Sequence, residues 1–190
     1  MTSKISRLAA AFLMTLALAM TAAYASEPIK GWWEAGGAPQ DYDFGTEHVD
    51  GAPSQKSAFI KCIVAAPQKW GTLSQAVSAT PYLGKRVRLS AMLKTQDADS
   101  AQLWLQVQGS GNKMLSFDNM NDRPVKGTTD WKRYDAVLDV PKGAQEIYFG
   151  YFLTGKGEAW ADDFKLEAVG DEVPVSSQYS DKLANMDFKE

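Results

Sequence analysis

The chain has 190 residues, with 20 lysine and arginine residues against 23 aspartate and glutamate residues, and a formal net charge of −3. The basic residues are scattered along the chain, which argues against nucleic acid as a partner, because phosphate binding depends on a clustered positive surface. A single cysteine excludes an intramolecular disulfide, and one cysteine with one histidine is too few for the usual zinc ligand set.

Residues 1–25 have the pattern of a secretory signal peptide. Lys4 and Arg7 precede the apolar run "LAAAFLMTLALAM", and "AYA" places small residues where a signal peptidase reads them. The run is shorter than the roughly 20 apolar residues of a membrane-spanning helix, so an uncleaved anchor is the less favoured alternative. Cleavage near Ala25/Ser26 leaves 165 residues with 18 basic and 23 acidic side chains, enough for one domain. We therefore expect a periplasmic or secreted protein without a membrane span.

The rest of the chain alternates between apolar and polar residues with a period of two, interrupted by glycine, proline and short polar clusters. No window there predicts an amphipathic helix of ten or more residues, and the weak candidate is "SDKLANMDF" near the C-terminus. Eight to ten strands without intervening helices predict an all-β fold, an antiparallel β-sandwich, over residues 26–169. Residues 170–190 are polar and are predicted to be a surface-hugging or partly disordered extension. In chain order the predicted strands are "GWWE", "SAFIKCIVA", "GTLSQAVSA", "KRVRLSAML", "AQLWLQVQ", "YDAVLDV", "EIYFGYFL" and "EAWADDFKLEAV".

The strand "AQLWLQVQ" places Trp104 on a face otherwise made of glutamines, which include Gln102 and Gln106. A flat aromatic beside amide groups suits a sugar ring, which stacks its C–H face and offers hydroxyl groups to the amides. By the same alternation, Arg88 and Tyr148 are predicted to extend this polar face. The alternative is that the C-terminal extension or a long loop covers Trp104, which then packs beneath it.

The stretch "FDNMNDRPVKGTTDW" predicts an ordered loop between two strands, because it combines a proline, a glycine and side chains able to bond the nearby backbone. A rigid sandwich presents such loop residues to ligands, which makes Asp118 and Asn119 candidate binding residues. For Asp122 and Arg123 the favoured interpretation is an ion pair within the loop.

In "WADDFKLE" the alternation puts Asp162 in phase with the inward-facing Phe164 and Leu166. A buried carboxylate needs a partner, because an unpaired charge is costly to bury. One solution is a structural Ca²⁺ ion, to which Asp162 and the acidic loop containing Glu47 each supply oxygen ligands. The other is that Asp162 accepts hydrogen bonds from backbone amides of a loop.

Motifs for catalysis are missing from this pattern. His48 lies in the loop "GTEHVDGAPS", where a solvated side chain is the favoured interpretation, and no strand-turn-helix arrangement surrounds a serine. Cys62 alternates with apolar residues and is predicted to be a small buried hydrophobic side chain. We therefore expect a protein that is not an enzyme.

Five segments within residues 31–169 resemble a bacterial family of galactose-binding-like jelly-roll domains. The signatures "FDNM…DRP…GTTDW" and "G.G..W.DD..LE" carry the resemblance. The family is related to carbohydrate-binding modules, and its members are often uncharacterised or labelled as transcriptional regulators. The resemblance implies a jelly-roll fold, and it implies calcium at the places that Glu47 and Asp162 occupy.

Together these observations predict an exported, non-catalytic ligand-binding module, with a glycan as the favoured ligand and a protein as the alternative partner. In the alternative, the protein is an interaction or envelope-assembly module whose exposed aromatic residues and C-terminal extension dock onto another chain. A glycan-active enzyme is the least favoured hypothesis, since no paired carboxylates are recognisable.

Overall fold

The structure, a computed structural model, describes residues 28–176. They form nine β-strands, all paired antiparallel, and three 3₁₀ helices of three residues each. This confirms the all-β prediction and the expected number of strands for the described part of the chain. No helix in this part is long and apolar enough to cross a membrane. The strands are β1 Trp33–Gly36, β2 Tyr42–Glu47, β3 Ser57–Cys62, β4 Trp70–Ser78, β5 Arg86–Gly109, β6 Met114–Asp118, β7 Val125–Asp139, β8 Ala144–Thr154 and β9 Glu158–Val169.

Hydrogen bonds connect all nine strands, and the 24-residue strand β5 runs through two packed layers, which we describe as two sheets. Its residues 86–96 pair with β9, and its residues 100–109 pair with β8. We call the sheet in the order β1-β4-β8-β5-β6 the front sheet, and the sheet in the order β2-β3-β9-β5-β7 the back sheet. The two pack face to face: the ring of Tyr151 on β8 lies 6.1 Å from the ring of Phe164 on β9, centroid to centroid.

The core lies between the sheets and follows the predicted alternation. In β5 the odd-numbered apolar residues are completely buried in both halves of the strand, and the polar even-numbered residues face outward. At the N-terminal edge, Trp32 packs against Phe149 and Phe164, whereas Trp33 is 42% exposed. The buried residues of β5 are Val87, Leu89, Ala91, Leu93, Ala101, Leu103, Leu105 and Val107.

A β-bulge in β9 changes the phase that the sequence predicts for Asp162. Ser90 of β5 pairs with Lys165 of β9, and Met92 pairs with Asp162. One β5 residue therefore lies opposite two β9 residues, Asp163 and Phe164, and Asp163 adopts φ of +49°. Before the bulge, Ala159 and Ala161 face the core. The prediction that Asp162 points into the core with Phe164 is therefore wrong, because Asp162 lies on the outer face of the back sheet. The predicted burial of its carboxylate is confirmed, since Asp162 is only 8% exposed.

Residues 171–176 run along the edge of the back sheet. The Arg86 guanidinium donates to the carbonyl oxygens of Asp171 and Val173 at 2.8 and 2.7 Å. Ser176 exchanges hydrogen bonds with the backbone of Val137 on β7. The predicted signal peptide, residues 177–190 and the weak helix candidate lie outside the described residues, so these expectations stay predictions.

Candidate functional site

The outer face of the front sheet carries an open groove with a volume of about 730 Å³. All five strands of the sheet contribute to it, together with the loop between β6 and β7. Trp104 is half-buried on the floor of the groove. Among residues 28–176 no segment covers it completely, contrary to the alternative in which a loop or the C-terminal extension seals this face. The lining residues are Trp33, Ala35, Gly36, Trp70, Thr72, Ser74, Ser100, Gln102, Trp104, Gln106, Gln108, Phe117, Asn119, Asn121, Tyr148, Phe152 and Thr154.

The indole of Trp104 reaches from β5 across β8 towards β4. Its Nε1–H donates to Thr72 Oγ1 at 3.1 Å, and the Thr72 hydroxyl in turn donates to the Tyr151 carbonyl oxygen at 2.8 Å. Between them lies Gly150, which pairs with Trp104, and a Cβ atom there would come within 3.1 Å of the indole nitrogen and 2.0 Å of the Leu73 carbonyl oxygen. Glycine at this position makes room for the indole, and the hydroxyl fixes its orientation.

Aromatic side chains flank the indole on both sides. Tyr148 and Phe152 lie two residues before and after Gly150 on β8, on the same outer face. The Tyr148 hydroxyl donates to Glu146 Oε2 at 2.7 Å, and this hydrogen bond raises the pKa of Tyr148 above its ordinary value of 10. Trp33 meets the Tyr148 ring edge-on, with centroids 6.3 Å apart. The floor is therefore a set of ordered rings rather than isolated surface residues.

Amide side chains border the rings on the β5 side. Gln102 is buried: its Oε1 accepts from Ser100 at 2.7 Å, and its Nε2 donates to the Asn119 carbonyl oxygen at 2.8 Å. These bonds attach the loop after β6 to the floor, so that Asn119 forms part of the groove rim. Gln106 faces the groove without a side-chain hydrogen-bond partner among residues 28–176, which leaves its amide available.

Asp118 does not face the groove. Its side chain is completely buried, and it accepts hydrogen bonds from the Arg123 guanidinium at 2.5 Å and from the Met120 backbone amide at 2.9 Å. Ser176 Oγ also donates to it. Arg123 additionally pairs with Asp122 at 2.8 Å, which confirms the ion pair predicted within this loop. The Asp118 carboxylate thus holds the rim in place from behind.

Arg88 lies on the opposite side of the molecule. It pairs with Glu167 on β9 at 2.6 Å, on the outer face of the back sheet. The prediction that it shares the face of Trp104 is wrong, because β5 crosses from one sheet to the other between the two residues. A binding role for Arg88 stays an untested prediction.

The carboxylates expected to hold calcium are occupied by protein donors. Asp162 accepts hydrogen bonds from the amide and hydroxyl of Ser54, from the Ser57 hydroxyl and from the Asp163 amide, over 2.6–3.1 Å. Glu47 Oε1 accepts from Trp160 Nε1 at 2.6 Å. Residues 28–176 contain no group of three or more acidic, histidine or cysteine side chains suited to a metal. Because calcium also takes backbone carbonyl oxygens and water as ligands, calcium binding stays a prediction.

The two remaining candidates for chemistry lie away from the groove lining. The His48 side chain is 75% exposed, and its Nδ1 lies 3.2 Å from the Gln55 carbonyl oxygen, which confirms a solvated loop residue. Cys62 is half-buried against the core, with its thiol 3.3 Å from the Val64 carbonyl oxygen, so its predicted burial is only partial.

Several groove residues were not among the predicted site residues. Trp70, Thr72 and Ser74 share one face of β4, and the alternation in "WGTLS" carried the signal that places them together. The sequence did not predict Phe117 as a groove residue, because β6 is only five residues long and too short for a clear alternating pattern.

Sequence comparisons find one curated relative, and no family model matches the chain. A curated relative, the "uncharacterized HTH-type transcriptional regulator YbfP" of Bacillus subtilis (strain 168), is 34% identical over 174 residues. The match covers 88% of this chain and 59% of the relative, so the chain spans about three fifths of that protein. Residues 28–176 contain no helix longer than three residues, and therefore no helix-turn-helix.

Two solved structures share the architecture at low sequence identity. The enzymatically active domain of tailspike protein 4 from bacteriophage CBA120 is 11% identical, with a TM-score of 0.60 over 76% of this chain and 21% of that one. The CBM22-1 xylan-binding domain of Xyn10C from Paenibacillus barcinonensis is 14% identical, with a TM-score of 0.52 over 73% of this chain and 86% of that one. At these identities the likeness shows the fold alone.

Proposed function

We propose that this protein is an exported, non-catalytic glycan-binding module whose ligand lies in the groove of the front sheet. The observation that carries the proposal is the floor of that groove, where the Trp104 indole is fixed by Thr72 and flanked by Tyr148 and Phe152. Aromatic faces accept the C–H surface of a sugar ring. Hydrogen bonds already hold the Trp104 and Tyr148 rings, so that little of their conformational entropy is lost on binding.

The polar groups around the rings suit hydroxyl ligands. Gln106 and Gln108 line the β5 side of the floor and offer both amide donors and carbonyl acceptors. A sugar hydroxyl is also both donor and acceptor, so the two kinds of group complement each other. A purely apolar ligand would leave these amides without partners, which costs binding free energy.

The lining also supports a role without catalysis. Its described residues include no carboxylate, histidine or cysteine, and hydrolysis of a glycosidic bond ordinarily needs a pair of carboxyl groups. Export is supported by the predicted signal peptide in residues 1–25. The xylan-binding domain of similar fold is a further reason to test glycans first.

The test is a glycan array followed by calorimetry on the mature protein, with Trp104→Ala and Trp131→Ala as matched variants. Trp131 lies on β7 of the back sheet, where its Nε1–H donates to the Asp50 carbonyl oxygen at 3.2 Å. For any glycan found on the array, we expect Trp104→Ala to weaken binding at least about 30-fold, on the order of 2 kcal/mol. Trp131→Ala should leave the affinity unchanged.

Two results would count against the proposal. One is that no glycan on the array binds, although circular dichroism shows that the protein is folded. The other is a glycan whose affinity falls equally in both variants, because the groove would then not be the binding surface.

A further inference from the structure

The groove is uncharged in a chain with an ordinary share of charged residues. None of its described lining residues is acidic or basic, whereas 23% of all residues in the chain are charged. Beside the lining lies the Glu146 carboxylate, which accepts a hydrogen bond from the Tyr148 hydroxyl at 2.7 Å. The carboxylate of an acidic sugar would lose hydration on this floor, and no basic side chain of the lining would compensate for that loss. It would also be repelled by the nearby Glu146 carboxylate, so binding of an acidic sugar is disfavoured.

The rings form a line along one strand. Tyr148, Gly150 and Phe152 point outward from β8, and the Trp104 indole covers the glycine. Alternate residues of a strand are about 6.6 Å apart, so the backbone positions of Tyr148 and Phe152 are separated by about 13 Å. We call Tyr148, Trp104 and Phe152 the aromatic strip. One sugar ring stacks on one aromatic side chain, and three rings in a line therefore match successive sugars of a chain.

Available amide groups accompany the strip on its β5 side, where Gln106 and Gln108 line the groove. Gln102 on β5, and Thr72 and Ser74 on β4, are buried and already hydrogen-bonded within the protein. A sugar chain stacked on the strip would therefore direct the hydroxyl groups of one edge towards Gln106 and Gln108. These two side chains run parallel to the strip because β5 and β8 are neighbouring strands of one sheet.

From this arrangement we propose that the ligand is an uncharged oligosaccharide segment of at least three sugars, lying parallel to β8. The inference rests on the proposed glycan-binding function and adds the charge and length of the ligand. A single monosaccharide would use one ring of the strip, and a charged glycan would meet no opposite charge in the described lining.

Calorimetry with size and charge series tests both additions. The neutral probes are glucose, cellotriose and cellohexaose, with the corresponding xylose and mannose series. The charged probes are hexagalacturonate and the glucosamine hexamer. We expect affinity to rise at least tenfold from monosaccharide to hexasaccharide in one neutral series, and to be the same at low and high salt because no ion pair forms. The charged hexamers should show no measurable binding.

Variants of the aromatic strip test whether several sugars bind along it or a single sugar stacks on Trp104 alone. Tyr148→Ala and Phe152→Ala should each lower the affinity for the neutral hexasaccharide about fivefold, because each removes one stacking ring. Trp131→Ala, on the back sheet, should not change it. The two strip variants should have no effect on a monosaccharide held by Trp104.

The outcomes distinguish this inference from the proposed function. If a monosaccharide binds as tightly as its hexamer, or if hexagalacturonate binds as well as a neutral hexamer, the inference is overturned while glycan binding stands. If no neutral or charged saccharide binds the folded protein, the proposed function itself fails.

Discussion

The two outer faces of the sandwich solve the problem of exposed polar residues in opposite ways. The back sheet pairs its charges across neighbouring strands: Arg88 with Glu167, and Lys61 with Glu158 at 3.1 Å. The front sheet has no charged residue in its described groove and exposes rings and amides instead. The pairs Arg86–Asp139 and Lys94–Asp130 also join neighbouring strands, Arg133–Asp163 joins β7 to β9 across β5, and Lys165–Asp163 lies within β9.

This difference indicates where a ligand can gain binding energy. A side chain already held in an ion pair must give up that partner before it can contact a ligand. Within the described residues Gln106 has no side-chain partner to lose, and the hydrogen bonds of Trp104 and Tyr148 engage the edges of their rings and not the faces on which a sugar would stack. One face is therefore suited to solubility and the other to recognition, although both have the same alternating pattern in the sequence.

The largest contrast is expected between two arginine–carboxylate pairs. Arg123→Ala leaves the completely buried Asp118 carboxylate without its cation and should lower the free energy of unfolding by about 3 kcal/mol. Arg88→Ala removes a half-exposed pair of the back sheet and should cost less than about 1 kcal/mol. Denaturant unfolding measures both. If the two variants lost the same free energy of unfolding, the buried ion pair behind the groove rim would stabilise the protein no more than the half-exposed pair on the back sheet.

A smaller effect is expected from a single methyl group under the indole. Gly150→Ala forces a Cβ against the Leu73 carbonyl oxygen and the Trp104 indole, and should destabilise the protein by about 2 kcal/mol. It should also weaken glycan binding, since the indole must move. Gly143→Ala is the control: no atom lies within 4 Å of its Cβ position, and we expect a change of at most about 1 kcal/mol. An unchanged affinity in Gly150→Ala would show that the position of the indole is not critical.

The smallest effect is expected from pH, which should act on the back sheet and not on the groove. Hydrogen bonds from Arg133 and Lys165 lower the pKa of Asp163 below its ordinary 3.8. The pKa of Asp130 is lowered by a hydrogen bond from the Trp131 backbone amide and, to a smaller extent, by one from Lys94. Carboxylates that are more acidic when folded contribute stability above pH 3.8 and lose it as the pH falls through their folded pKa. Stability should therefore decline below this pH.

Glycan affinity should stay constant between about pH 5 and 9, because no lining residue titrates there and the raised pKa keeps Tyr148 protonated. Calorimetry over this range checks the affinity, and thermal melts at lower pH check the stability. A bell-shaped affinity profile would place a titrating group in the site and contradict the contrast between the faces.

Alternation predicted the groove where strands are regular. It placed Trp104, Gln102, Gln106 and Tyr148 on one face because β5 and β8 run without a bulge from residue 100 to 108 and from 146 to 154. The period-two rule holds for as long as no residue is inserted into the ladder. The central part of the site was therefore predictable from the sequence.

Two errors came from features that alternation does not encode. Arg88 and Trp104 are both even-numbered and both face outward, but β5 changes sheets between them, so their outward directions are opposite. Asp162 was placed inward because the bulge at Asp163 shifts the phase by one residue. Neither event has a proline or glycine to mark it, and both depend on partner strands that are distant in the sequence.

The most direct test follows the six tryptophan indole N–H signals by NMR while a neutral hexasaccharide is added. Trp33, Trp70 and Trp104 line the groove, and Trp32, Trp131 and Trp160 lie elsewhere, in the core and on the back sheet. We expect the first three signals to shift with saturation and the other three to stay in place. Saturating shifts confined to the second group would contradict the account.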